Sequence, residues 1–210
     1  MIDLRRHSDR TRAEFEGLLE GQLDALYAAA MRLTRNARDA EDLVQDAVLR
    51  AYRFFDRFER GTHFRAWIFR ILTNTFINRY RRSVKERTLV DGPERESVTE
   101  QLVSRDAADQ AGDPERHFFG RLVSDDVVRA VDALPIDFRM VVILADLQEF
   151  SYKEIADILD IPVGTVMSRL FRGRRLLEKS LLDYAAETGH VPTREDGSID
   201  LQSFRSRKSR

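Results

Sequence analysis

Between Gly164 and Arg175 the chain reads GTVMSRLFRGRR, two short hydroxyl residues followed by arginines at helical spacing. With Val166, Leu170 and Leu177 as the inward seam of a helix and Gly173 on the same side, Thr165, Ser168, Arg169 and Arg172 project away from the core. Arginine bonds guanine through two hydrogen bonds, and Ser or Thr adapts to a base or a phosphate, so this face suits a DNA major groove. From Val163 to Lys179 the basic residues Arg169, Arg172, Arg174, Arg175 and Lys179 stand against Glu178 alone, an excess that attracts phosphates. The plain alternative is a basic helical hairpin without a ligand.

A second constellation lies in HFRAWIFRILTNTFINRYRRSVKER. Arg70, Asn74, Asn78 and Arg81 or Arg82 recur every three or four residues and share one polar face. Phe64, Trp67, Phe69, Phe76 and Tyr80 are interleaved with them. Phe64 and Phe76 are assigned to the core. Aromatics such as Trp67 and Tyr80 beside amides and arginines are also what holds unstacked bases of a single strand, the alternative being a core with a solvated face. Enzyme chemistry finds little support. His7, His63, His117 and His190 are far apart, there is no helical His-x-x-x-His pair, and cysteine is absent, so no zinc site is evident. Neither a phosphate-cradling Gly-rich loop nor a nucleophile elbow is present, and neither a cofactor nor a small-molecule substrate is expected.

The elements that must position these residues are helical. Phe15, Leu18, Leu19, Leu23, Leu26, Tyr27, Ala30 and Leu33 follow one three-and-four rhythm, predicting a core-facing helix. RNARD then predicts a turn, in which Asn36 can take the left-handed conformation at low cost. Val44, Val48, Ala51, Phe55 and Phe58 predict a second helix that stops before Gly61. A third places Phe64, Ile68, Ile71, Leu72 and Thr75 inward. From Thr88 the pattern fails: the stretch to Phe118 is acidic, holds Gly92-Pro93 and Asp113-Pro114, and reads as a linker with a short helix near Val98 to Val103. Ser124 is the expected N-cap of the next helix, and Pro135 divides it from IDFRMVVILADLQ. Tyr152, Ile155, Ala156 and Leu159 would pack the first helix of a hairpin, and Asp160 occupies its turn, often Gly, where Asp takes the left-handed geometry at modest cost. The tail from Thr188 is polar.

Charge supports this division. The net charge is only -1, yet residues 1–85 hold 17 Lys/Arg against 12 Asp/Glu, residues 86–135 hold 6 against 12, and the remainder is balanced at 12 and 12. The expected organisation is all-α: a helical domain over 10–87, a flexible acidic linker over 88–120, a helix-turn-helix domain over 121–187 and a polar tail over 188–210. Without cysteines, an apolar leader or a stretch of membrane-spanning length, the default expectation is a cytoplasmic protein.

With both halves in view the chain resembles an extracytoplasmic-function sigma factor, from Phe15 to about Ala186 apart from the linker. RNARDAEDLVQDAVLRAYRFFDRF is similar to the part of sigma domain 2 that binds the clamp of core RNA polymerase. FRAWIFRILTNTFINRYRR is similar to its promoter-melting and minus-ten segment, and LPIDFRMVVILADLQEFSYKEIADILDIPVGTVMSRLFRGRRLL to domain 4, which reads the minus-thirty-five element. The resemblance implies that Asp39, Glu41, Asp42 and Gln45 contact polymerase. It implies that Asn74 and Asn78 line a pocket for a flipped minus-ten base, with Trp67, Arg70, Tyr80, Arg81 and Arg82 around them. Thr165, Ser168, Arg169, Arg172 and Arg175 then face the upstream element. RILTNTFIN with GTVMSRLFRGRR is closest to the oxidative- or heat-stress members, which implies a zinc-binding anti-sigma partner that senses the signal. Two rival functions are a helix-turn-helix regulator of duplex operators that needs no polymerase, and a helical enzyme or adaptor. The first leaves the acidic face of the second helix and the Arg70/Asn74/Asn78 face unexplained.

Overall fold

The computed structural model describes residues 2–91 and 125–187, with side chains from 11 to 86 and from 126 to 182. Among the described residues every regular element is a helix. The first unit comprises α1 (Ile2–Glu20), α2 (Leu23–Thr34), α3 (Ala37–Arg53), a 3-10 turn (Phe55–Arg57) and α4 (Phe64–Asp91). The second comprises α5 (Asp125–Asp132), α6 (Ile136–Val142), a π turn (Ile143–Leu147), α7 (Tyr152–Leu159) and α8 (Val163–Glu187). Helix α4 therefore occupies residues 88–91 of the expected linker. The rest of the linker, its expected short helix, the cap at Ser124 and the tail lie outside the described residues.

The rhythm from Phe15 to Leu33 is broken rather than continuous: α1 ends at Glu20 and α2 begins at Leu23. Gly21 sits at the break, where it costs a helix interior about 1 kcal/mol relative to Ala. The break redirects the stripe, so Leu18 and Leu23 are exposed and not core, while Phe15, Leu19, Leu26, Ala30 and Leu33 are buried. The turn after α2 also differs from expectation. Arg35, not Asn36, is left-handed at φ 61°, and its N–H closes on the Met31 carbonyl at 2.8 Å. Asn36 is extended because its side chain caps α3, accepting from the Asp39 N–H at 3.1 Å. Gly61 does take a positive φ of 89°, but the α-helical part of the second helix has ended at Arg53.

The first unit is closed by rings. Phe55 is edge-on to Phe15 (5.2 Å between centroids) and Phe64 (6.3 Å) and stacked with Phe58 (5.8 Å). Trp67, half-buried, leans on Phe55, Phe58 and Phe64. The core of the second unit is aliphatic: Val131, Leu134, Val141, Ile143, Leu144, Ile155, Ile158, Val166 and Leu170 are buried. Its helices α5, α6 and α7 have only eight, seven and eight residues, too short to persist alone, so their ends are specified locally. Pro135 opens α6. Ser151 and Glu154 form a reciprocal capping box on α7, and Asp160 ends it in the left-handed conformation at φ 54°, as its place in the turn predicts. Tyr152 lies on the exposed side of α7, contrary to its expected packing role.

The two units are not independent bodies. Helix α4 packs on α7, and α2 packs on α5, α6 and the π turn. Phe69, interleaved in sequence with the polar row of α4, is fully buried, its ring 5.0 Å from that of Phe150. Arg65 lies over the Phe150 ring at 4.5 Å and donates to the Gln148 side-chain oxygen at 3.1 Å. A second, partly buried bridge joins Arg32 to Asp132 at 3.3 Å, and Arg139 donates to the Asp132 carbonyl at 2.9 Å from the domain's own side. Between Gln148 and Phe150, Glu149 holds a positive φ of 56°, an uncommon conformation for a non-glycine residue.

Candidate polymerase and nucleic-acid interfaces

Helix α3 turns Ala40, Leu43, Ala47 and Ala51 into the core, and its opposite side carries the acidic set. Asp39, Glu41, Asp42 and Gln45 are all exposed. Asp42 and Gln45 lie on the row farthest from the core, with Asp39 and Glu41 on its two flanks. Asp39 also sits in the first turn of α3, where a carboxylate favours the positive end of the helix dipole. The row continues through Leu49, which is 56 % exposed, and Tyr52, which is 42 % exposed. Neither was singled out from sequence, although apolar residues recurring on the charged side of an amphipathic helix are a readable signal. A polar rim around such an apolar centre is the usual anatomy of a protein interface. Arg79 fastens this surface to α4 by donating to the Asp42 carbonyl at 3.0 Å and pairing with Asp46.

On α4, Arg70, Asn74, Asn78 and Arg81 step by four, four and three along one exposed side. Among the described residues no hydrogen bond or ion pair engages these four side chains, so their amides and guanidiniums face solvent ready for a ligand. Trp67 flanks the row, one side of its ring seated in the aromatic cluster. Tyr80 and Arg82 stand apart from the row. Tyr80 is half-buried and stacked on Phe76 at 6.1 Å. Arg82 bonds Glu86 at 2.8 Å, and that carboxylate raises the arginine's pKa further. Thr73 and Thr75 are buried, their hydroxyls returned to the carbonyls of Phe69 and Ile71, so the helix stays dry on its inner side.

Helix α8 buries Val166, Leu170 and Gly173 against α6 and α7. Gly173 is required sterically: a Cβ there would meet the Val142 side chain at 2.9 Å and the Phe138 Cβ at 3.3 Å. Opposite this seam Ser168, Arg172 and Arg175 are exposed, while Thr165 and Arg169 are half-buried at its edge. Arg169 pairs with Asp137 at 3.3 Å, and the Ser168 hydroxyl rests on the Thr165 carbonyl at 3.1 Å. Arg172 and Arg175 carry no such partner among the described residues. Arg174, part of the basic run, is turned to Asp146, whose hydrogen bond raises its pKa. Phe171 and Met167, not singled out from sequence, lie on or beside the outward row at 67 % and 54 % exposure. An exposed ring beside Ser168 and Arg172 can meet a thymine methyl in a major groove. The described residues contain no cluster suited to a metal ion and no helix long and apolar enough to cross a membrane.

These two outward helices coincide with two recognised modules. Residues 18–86 match the family model Sigma-70 region 2, and residues 124–177 match Sigma-70, region 4. The two matches define a sigma-70-type transcription initiation factor, a class without enzymatic activity. Among relatives, the ECF RNA polymerase sigma factor SigW of Bacillus subtilis is 34% identical over 172 residues, covering 80% of this chain and 89% of the relative. The ECF RNA polymerase sigma-E factor of Escherichia coli is 35% identical over 143 residues, covering 68% and 74%. SigE of Mycolicibacterium smegmatis is 34% identical over 174 residues, and the chain spans 64% of that longer relative. The chain belongs to the ECF RNA polymerase sigma factors. The sigma factor RpoE of Bartonella quintana, solved in complex with the anti-sigma factor NepR, superimposes with a TM-score of 0.64 at 34% identity, covering 80% of this chain and 96% of that one. CnrH, solved with the cytosolic domain of CnrY, shares the fold at a TM-score of 0.56 and 24% identity, covering 81% and 88%. An operator-binding regulator that works without polymerase is not favoured by these relationships.

Proposed function

We propose that the chain joins core RNA polymerase through the outer row of α3 and holds a melted minus-ten strand along α4. The outward row of α8 reads the minus-thirty-five duplex. The observation that carries this reading is the pair of exposed rows, Arg70/Asn74/Asn78/Arg81 and Ser168/Arg172/Arg175, whose amides and guanidiniums are unengaged on otherwise well-packed helices. Asn74 and Asn78 present both donors and acceptors, which suits the Watson–Crick edge of an extruded base and offsets the few kcal/mol that extrusion costs. Trp67 supplies a stacking face at the side of the row, and Arg81 meets phosphate. On α8, Arg172 has the reach and fork geometry for a guanine, while Arg175 and Arg169 favour the backbone. Asp42 and Gln45, flanked by Asp39 and Glu41, form the polar part of the polymerase contact, with Leu49 and Tyr52 at its apolar centre.

Control by an anti-sigma protein is part of the proposal, supported by the NepR-bound neighbour and by the RILTNTFIN and GTVMSRLFRGRR motifs. That partner is zinc-binding and the regulon is a stress response. A chain without cysteine leaves any thiol sensing to the partner. Reconstitution with core polymerase on candidate promoters tests the whole. Asn74→Ala lowers open-complex formation while polymerase retention stays near wild type, and Arg172→Ala weakens upstream-element binding by about 1–3 kcal/mol. A chain that neither co-purifies with core polymerase nor supports initiation ends the proposal.

A further inference from the structure

We propose that the sulfur of Met167 is an oxidation site on the DNA-facing side of α8, and that its sulfoxide weakens binding of the minus-thirty-five duplex. This rests on the reading of α8 above. The chain has no cysteine, so methionine supplies its only sulfur. Of its four methionines, Met31, Met140 and Met167 lie among the residues described with side chains. Met31 on α2 and Met140 on α6 are each 6% exposed and buried in the core, whereas Met167 is 54% exposed. Access decides which thioether a peroxide reaches, so Met167 is oxidised ahead of the other two. Trp67, the one tryptophan, is half-buried in its ring cluster and shielded by comparison.

The step needs only a hydroperoxide. The sulfur lone pair attacks the outer oxygen of the O–O bond, and an S–O bond forms as O–O breaks. The proton of the transferred oxygen ends on the departing one, which leaves as water or an alcohol. Sulfur loses two electrons and the peroxide gains them. The product replaces an apolar side chain by a polar one that accepts hydrogen bonds and has no proton to donate. Its place on α8 gives this a consequence. Val163, Met167 and Phe171 stand four residues apart, all exposed, and form an apolar strip along the flank of the Ser168/Arg172/Arg175 row. Such a strip suits thymine methyl groups. The guanine N7 and O6, the adenine N7, the thymine O4 and the phosphate oxygens are all acceptors, so in a major groove the sulfoxide oxygen meets repulsion or goes unpaired. Only the amino groups of adenine and cytosine match it.

The full chain is treated with hydrogen peroxide, freed of the excess, and reconstituted with untreated core polymerase. Peptide mass mapping should find one added oxygen at Met167 before Met31 or Met140 gains any. The resulting holoenzyme should bind a duplex carrying the upstream element about tenfold more weakly, in line with one polar group left unpaired. Binding of a single-stranded minus-ten oligonucleotide, which α4 holds, stays unchanged. Exchanging base pairs through the upstream element should concentrate the loss at one or two positions and reduce it where an amino group replaces a thymine methyl. Methionine sulfoxide reductase with a dithiol, which removes the oxygen as water and becomes a disulfide, restores the affinity. The chain has no thiol of its own to respond to that treatment. For Met167→Leu, treated and untreated chains have equal affinity, whatever its starting value; Met167→Ala answers the same question if Met167→Leu fails to fold. Met140→Leu, a volume-conserving change in the core, keeps the full response. The proposal is overturned if Met31 or Met140 is oxidised ahead of Met167, if the sulfoxide binds as tightly as the thioether, or if the loss persists without Met167. An untreated holoenzyme indifferent to the upstream element counts against the reading of α8 and not against the oxidation site, which the mass map decides by itself.

Discussion

The first domain supports its outward helix with large rings packed edge to face, whereas the second supports its own with caps, a left-handed aspartate and a glycine. Helix α4 is long enough to need no help at its ends and takes its position from Phe15, Phe55, Phe58 and Phe64. Helices α6 and α7 are short, and their directions depend on Pro135, the Ser151–Glu154 box and Asp160. Helix α8 is then pressed against α6 at Gly173. The difference teaches that an outward row of side chains can be aimed either by bulk or by stereochemistry. The two solutions should fail differently.

The sharpest way to break the comparison is Phe55→Ala. Removing the ring that touches four others should cost about 3–5 kcal/mol, read as a lowered urea midpoint for the first domain with little change in the second. Gly173→Ala comes next. Its methyl must displace Val142 or Phe138, at about 1–3 kcal/mol, and the loss should appear in the second domain together with weaker upstream-element binding. If Gly173→Ala is neutral, α8 is not aimed by close approach. The smallest effect is at the capping box. Ser151→Ala should cost about 1 kcal/mol. Glu154 is held below the ordinary carboxylate range by hydrogen bonds from the Ser151 hydroxyl and backbone N–H, with burial opposing and the charges of His63 and Arg65 adding a little. A depressed carboxylate stabilises the fold above its ordinary value and loses that contribution as the pH falls through its lowered one. Denaturation curves of wild type and Glu154→Gln should therefore differ at neutral pH and converge in acid.

Much of this was legible in the chain. The seam of Val166, Leu170 and Gly173, the outward Ser168 and Arg172, and the left-handed Asp160 all follow from periodicity and turn chemistry, because each is decided by residues a few positions away. The break at Gly21 was not, since the apolar rhythm runs through it and only the direction of the chain changes. At Asn36 two uses of the same residue type compete, and capping α3 prevails over the left-handed turn. Phe69 alternates in sequence with the polar row of α4, yet its ring is in contact with Phe150, more than eighty positions along the chain. Contacts between domains leave no local period, so neither Phe69 nor the Arg32–Asp132 pair announced itself. Phe171 and Leu49 are legible as apolar residues on charged faces, since both recur at helical spacing on the outward sides of α8 and α3.

Gly173 also sets an angular tolerance. Relieving a 2.9 Å contact to an ordinary one requires about half an ångström of movement at that point. Val166, the other end of the seam, lies seven residues away, about 10 Å along the axis. Pivoting there, the helix would tip by roughly 3°, and the tip of a long arginine on the outer face would swing by a fraction of an ångström. The position thus behaves as the fixed rest of an instrument: a missing side chain on the inside calibrates where the guanidiniums fall on the outside.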